Sequence, residues 1–436
     1  MHDAEPRRRR PAQGSEQRHL LRRRWRALTR DELLRRVEVG APHHPHYVVW
    51  ELTLACDQRC LHCGSRAEHA RPNELTTEQA LDVVEQLARM GAWEVTLIGG
   101  EAYLHPGFLD VVRALRRHGV RPTLTTGGRG VTPELAAQLR DAGLHSASVS
   151  IDGLETTHDL FRATRGSFQS ARSALANLRA VGITTAVNTN FNRLNVGQVD
   201  VLYELVKSNG ASSWMLILTV PLGRGADRPD MLLQPWDLLE LMPAFARAKE
   251  RGLSDGIMVM PSNTVGYFGP EETMLRSQER GQGVHFQGCV AGRYSLGIEA
   301  DGAVKGCPSL QTSHYLGGSL KTETLEAIWQ TKPLAFARNR TVDDLWGFCR
   351  TCPFAKQCLG GCTFMSHSYL GRPGNNPMCH FRARSLAADG KRERLVFKEA
   401  APGAPFDNGL FEIVEEAFDA PDPRPPTPGA LVRKRA

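Results

Sequence analysis

Cys56-Asp57-Gln58-Arg59-Cys60-Leu61-His62-Cys63 is the stretch around which the chain is organised. It is a C-x3-C-x2-C loop, and it follows the apolar, strand-like run Tyr47-Val48-Val49-Trp50-Glu51-Leu52-Thr53-Leu54. Three thiolates in one tight loop suit a cubane iron–sulfur cluster held through three of its four irons, since thiolates are the usual protein ligands of such clusters. The fourth iron would stay open to a small molecule. A structural zinc site closes with four ligands, commonly as C-x2-4-C pairs, which a lone three-cysteine loop after a strand fits poorly.

The bulk numbers bound the rest. A chain of 436 residues predicts two or three units, and 41% hydrophobic residues are enough for a large core. There is no apolar run of about 18 residues, so no membrane partner is expected. The N-terminus is Arg-rich without an apolar stretch, so it does not read as a secretory signal. In a reducing, cytoplasmic setting the ten cysteines read as metal ligands rather than disulfides. Residues 1–36 hold twelve arginines against five acids, a surplus of +7 that equals the whole chain's. The main body is therefore near neutral, and nucleic acid is not expected as a partner. Residues 1–44 read as a basic, partly disordered arm, with a possible helix over 19–39.

From residue 47 to about 220, strand-like and helical runs alternate. Strands are predicted at 47–54, 93–98, 120–125, 146–151, 183–188 and 214–220. Helices are predicted at 77–90, 107–118, 133–142, 167–181 and 196–209. Such alternation argues for a parallel sheet with right-handed crossovers. Six units predict an α/β fold, a partial, TIM-like (β/α)6 barrel over 45–225, with working residues at the carboxyl ends of the strands. The second strand ends in Gly99-Gly100-Glu101, where glycines permit close backbone approach and a carboxylate could accept from an ammonium. The fourth ends in Ser148-Val149-Ser150-Ile151-Asp152-Gly153, the fifth near Asn188, and the sixth runs into Pro221-Leu222-Gly223-Arg224-Gly225.

These strand ends and the cysteine loop together resemble the radical S-adenosylmethionine (SAM) enzymes. The resemblance implies that Cys56, Cys60 and Cys63 hold a [4Fe–4S] cluster whose open iron chelates SAM. One electron then cleaves SAM to a 5′-deoxyadenosyl radical. It implies SAM contacts at Gly99, Gly100 and Glu101, although Ala102 replaces the usual proline of that motif. It implies further contacts at Ser150, Asp152 and Asn188. His158-Asp159, Arg162, Arg165 and Gly166-Ser167-Phe168 resemble another family segment. There Arg162, with Arg165 as fallback, is suited to the SAM carboxylate.

Cys289, Gly302, Cys307, Cys349, Cys352, Cys358, Cys362 and Cys379 form a second field, spaced C-x12-G-x4-C, then C-x2-C-x5-C-x3-C, then a final Cys. The run 298–305 predicts a hairpin with a tight Asp301-Gly302 turn. This field resembles the SPASM domain, a twitch-containing extension of radical SAM enzymes, placed here at 285–388. The resemblance implies two auxiliary [4Fe–4S] clusters. Cys349, Cys352, Cys358 and Cys379 would hold the outer one, and Cys289, Cys307 and Cys362 the inner one. The inner cluster then has an open iron or a non-cysteine ligand, with His285 and His314 as candidates. Zinc remains the alternative for C-x2-C followed by C-x3-C. In sulfatase maturases an Asp follows the inner-cluster cysteine; here Pro308 does, which argues against formylglycine formation. Residues 226–284 read as a connector, with helix from 235 to 249 and a possible strand at 256–260. Residues 389–436 read as a C-terminal tail with an amphipathic segment near 408–418.

The implied function is a cytoplasmic radical SAM/SPASM peptide maturase acting on a ribosomally synthesised precursor peptide. Its implied redox partner is an electron donor such as flavodoxin or ferredoxin. The alternatives are a tetrapyrrole-modifying relative, which shares the C-x-x-C-x-H-C flavour of Leu61-His62-Cys63, and a non-catalytic zinc-binding adaptor. The catalytic base and target bond are not legible.

Overall fold

The computed structural model describes residues 43–266, 269–277 and 288–424. The N-terminal arm with its expected helix, and His285, lie outside the described residues. Seven parallel strands come first: β1 (Tyr47–Glu51), β2 (Glu94–Ile98), β3 (Arg121–Thr126), β4 (Ser146–Ser150), β5 (Thr184–Phe191), β6 (Ser213–Leu218) and β7 (Met258–Pro261). The longer helices between them are α1 (Thr77–Arg89), α2 (Phe108–Arg117), α3 (Pro133–Ala142), α4 (Glu155–Arg162), α5 (Ser167–Ala180), α6 (Val199–Ser208) and α7 (Leu238–Asp255).

Local chemistry sets these boundaries. Thr76 and Gln79 form a reciprocal capping box at the start of α1. Thr132 caps α3, Pro133 occupies its first turn, and Gly143 ends it at φ 89°, a left-handed geometry that costs glycine little. Along β5 the pleat alternates, burying Val187 and Phe191 fully. The equally buried Thr189 hydroxyl accepts from the indole of Trp214 at 2.8 Å, so these two polar groups satisfy each other in the core.

The seventh strand falls within the segment read as a connector. It pairs with β6 and becomes one edge of the sheet. Buried Lys249 of α7 donates to the carbonyl of Val259 at 2.7 Å, which blunts that edge, and burial lowers the Lys249 pKa to about 8.

The predicted hairpin is present as β8 (Ser295–Ile298) and β9 (Ala303–Lys305), and it does not stand alone. β8 lies parallel to β1, from Tyr47 opposite Ser295 to Trp50 opposite Ile298. With β10 (Gly318–Ser319) added, one ladder runs β10-β9-β8-β1-β2-β3-β4-β5-β6-β7. It ends in two edges, β10 and β7. The cysteine-rich part is thus built onto the barrel sheet itself. Two short helices, Leu325–Trp329 and Lys332–Ala335, replace the single helix expected over 324–338, and the described start of the expected loop at 269–283 is partly helical.

Residues 389–424 are not a loose tail. After α8 (Thr363–Leu370) and α9 (His380–Ala388), β11 (Lys391–Glu399) and β12 (Leu410–Ala417) pair antiparallel. Cross-strand ion pairs Lys391–Glu415, Arg392–Glu416 and Lys398–Glu412 set basic against acidic strand. Gln234 makes two hydrogen bonds to the backbone of Leu395, and buried Arg382 of α9 pairs with Glu393.

A buried charge cluster joins the barrel to β8 and β9. Lys305 is fully buried, and its ammonium meets Glu299 at 2.8 Å and the Leu310 carbonyl at 2.6 Å. Arg71 reaches Glu299 and Asp301, each at 3.0 Å. Beside them burial, with Glu299 adding to it, raises Glu51 to a pKa of about 8. Removing one partner of such a cluster strands a buried charge. Lys305→Met should therefore lower stability by about 3–5 kcal/mol, read as a shift in denaturation midpoint against wild type.

Candidate active site and metal centres

The loop after β1 is fixed from three sides. Arg224, in the loop after β6, donates to the carbonyls of Cys60 (2.9 Å) and Ala67 (3.0 Å). Leu61 N donates to Phe161 O at the end of α4. Gly100 N and Glu101 N donate to the carbonyls of Thr53 and Ala55 at 2.7 and 2.8 Å. The two glycines after β2 therefore allow approach to the cysteine loop's own backbone. A Cβ on Gly100 would lie 2.2 Å from Ala55 O and 2.8 Å from the Cys56 Cβ.

The ten thiols are free and sort into three groups by mutual electrostatics. Burial, then Cys60 and Cys63 among its neighbours, pushes the Cys56 thiol up to about 12. Burial, with Cys289 beside it, raises Cys307 to about 11, and Cys362 is raised by burial and by both of those thiols. Cys358 is raised by burial and by Cys379, Cys349 and Cys352, and these four line one small apolar cavity with Phe348 and Phe354. Among the described residues, no three His, Cys, Asp or Glu close around a single ion. A donor set made only of buried and half-buried thiols, grouped three, three and four, fits multi-iron clusters.

Around the first group the sequence-predicted residues converge. Glu101 is buried; Thr126 donates to one carboxylate oxygen at 2.5 Å and Gly127 N to the other at 2.6 Å. Burial nonetheless raises its pKa to about 7. Asp152 is fully buried and pairs with Arg162 at 2.5 Å, while Asn190 N donates to its other oxygen at 2.8 Å. Burial alone would raise Asp152; the Arg162 guanidinium beside it holds it below the usual carboxylate range. Arg162 also donates to the Cys60 sulfur at 3.6 Å, whereas Arg165 is exposed. Ser150 and Asn188 sit opposite each other on β4 and β5. Asp159 turns away from the site to cap the start of α5 through Gly166 N and Phe168 N.

Residues 50–206 match the Radical SAM superfamily, and residues 289–353 the iron–sulfur cluster-binding SPASM domain. The mycofactocin maturase MftC of Mycobacterium ulcerans is 32% identical over 77% of this chain and 88% of its own length. This chain belongs to the radical SAM superfamily. An AdoMet-dependent heme synthase of Methanosarcina barkeri is 28% identical over 79% of this chain and 99% of its own length. The fold is shared with SuiB of Streptococcus suis bound to S-adenosylmethionine, with TM-score 0.60, 17% identity and 74% of each chain covered. The protein is a radical SAM/SPASM enzyme that uses SAM and iron–sulfur clusters.

Several residues that shape this radical SAM site carry weak sequence signals. His62 stacks on Phe161 with ring centroids 4.1 Å apart, and burial lowers its pKa to about 3, so it is neutral. His158 accepts from Asp152 N at 3.0 Å. Gln58, only 3% exposed, takes the Cys60 thiol at 3.7 Å and keeps an unpartnered Nε2. His62 and Gln58 lie between the cysteines, and that adjacency was the one available clue. In the second field, the hydroxyl of Tyr315 and Nδ1 of His367 are 2.9 Å apart, and His314 packs against His367 with centroids 4.6 Å apart.

The close approach at Gly100 has a direct consequence. Gly100→Ala should displace the cysteine loop and lower iron in the first cluster by about half or more, while the SPASM sites stay loaded. Iron counting with electron paramagnetic resonance of the reduced protein checks this.

Proposed function

We propose that this enzyme matures a ribosomally made precursor peptide by hydrogen abstraction from an unactivated carbon. The observation that carries the reading is the 32% identity with a mycofactocin maturase along 88% of that protein's length. A precursor-peptide complex among the solved relatives with this fold is consistent with it. The 28% identity with a heme synthase, together with His62 before Cys63, favours a tetrapyrrole as the second reading.

In this proposal Cys56, Cys60 and Cys63 hold the cluster that, when reduced, supplies the electron for cleaving SAM. Glu101 receives the SAM ammonium, with Gly99 and Gly100 lining its approach. Ser150, Asp152 and Asn188 face the rest of the cosubstrate. Arg162 already spans the Asp152 carboxylate and the Cys60 sulfur, so it orients the site and donates to a cluster ligand. Cys289, Cys307 and Cys362 would hold one auxiliary cluster and Cys349, Cys352, Cys358 and Cys379 another, groups that would supply one-electron chemistry there. A flavodoxin or ferredoxin supplies the reducing electron.

The anaerobically reconstituted enzyme should form 5′-deoxyadenosine from SAM and reductant. It should also change the mass of a short peptide encoded beside its gene. Conversion of Fe-coproporphyrin III with no change in that peptide would replace the peptide reading by the tetrapyrrole one. A pH profile tests the Glu101 assignment. Below about pH 7 Glu101 takes up a proton and loses its charge for an ammonium. SAM affinity, measured by equilibrium binding, should fall by about tenfold in all as pH drops from about 8 to about 6. Glu101→Gln should remove that dependence.

A further inference from the structure

The loop between β11 and β12 reaches away from its own hairpin and ties together the two cysteine fields. Phe406 N donates to Gly64 O at 2.8 Å, one residue past Cys63. Arg66 Nε donates to Ala404 O at 3.1 Å and to the Asp407 carboxylate at 3.2 Å. Gly223 N, in the loop after β6, donates to Asp407 O at 2.8 Å. On the other side the Lys305 ammonium stands 3.6 Å from the centroid of the Phe406 ring, two residues before Cys307. The tip thus bridges from the loop after β6 to β9.

Phe406 is 8% exposed and sits at φ 58°, a left-handed conformation that a bulky residue rarely adopts. A bulky aromatic held there, between the SAM-cluster loop and the strand leading into an auxiliary-site cysteine, is over-determined by its surroundings. Its own N–H donates to Gly64 O, and its neighbours Ala404 and Asp407 accept from Arg66 and Gly223; none of these three partners belongs to the hairpin. Whatever group receives the radical must come up beside the Cys56–Cys63 loop, and the tip is anchored at Gly64, directly after that loop.

We propose that the tip Ala404–Asn408 is a wall of the substrate chamber, and that Phe406 is a specificity-determining residue that closes it to solvent and limits which substrate group enters. The inference holds for a peptide or a tetrapyrrole substrate alike, so its test is independent of that choice. Closure excludes water and stray hydrogen donors from a reactive intermediate.

The test uses the full-length, cluster-loaded enzyme with SAM and dithionite alone. Phe406→Ala should raise substrate-free formation of 5′-deoxyadenosine by about fivefold per assembled first cluster, equivalent to about 1 kcal/mol. Phe406→Leu should fall between Ala and wild type, and SAM affinity and iron content should be unchanged in it. A residue that only packs the fold would lower iron and turnover together and leave the rate per cluster unmoved. Equal rates per cluster in wild type, Phe406→Leu and Phe406→Ala would overturn the proposal. Should the Ala variant lose iron, the comparison of Leu with wild type decides.

Discussion

Burying sulfur is the constraint on which this structure depends. Thiolates carry the charge that iron needs, yet burial disfavours that charge, and neighbouring thiols raise Cys56, Cys307, Cys358 and Cys362 further. The Cys56 thiol at about 12 and Cys307 at about 11 would be protonated at neutral pH in the bare chain. Iron held there would offset that penalty by accepting the charge, which would couple cluster assembly to proton release and to folding around the sites. Nearby cations lighten the load: Arg162 beside Cys60, and Arg382 near Cys349 and Cys352.

The second constraint is relative placement of the sites, and the sheet supplies it. Because β8 pairs with β1 in parallel register, the strand leading to Cys289's group and the strand leading to Cys56 belong to one rigid ladder. The Arg71–Glu299–Lys305 cluster locks the same joint by charge. A spacing fixed by backbone hydrogen bonds suits electron transfer between sites better than a hinge would.

The cysteine loop, the strand ends and the 298–305 hairpin were legible because each is a local signal: spacing, alternation or an Asp-Gly turn. The partner of that hairpin was not, since β1 and β8 are some 250 residues apart in sequence. The C-terminal hairpin was missed for a different reason. Lys391-Arg392-Glu393-Arg394 looks like solvated charge until Glu415 and Glu416 of β12 are set against it. Helix α4 was also missed, being a short run of eight residues directly after Asp152-Gly153, and it is this helix that delivers Phe161 and Arg162 to the cysteine loop. The charge-assisted role expected of Arg162 is partly taken by Asp152, a pairing no sequence spacing announces.

The central proposal is that the ten thiols divide into three separate iron sites. It is tested most directly by iron and sulfide counting, with Mössbauer spectroscopy, on anaerobically prepared wild type and on a Cys56/Cys60/Cys63→Ala variant. The account predicts about twelve irons per chain in wild type, a loss of about four in the variant, and no SAM cleavage by it. A wild-type protein holding zinc in place of iron, or a variant that still cleaves SAM, would contradict it.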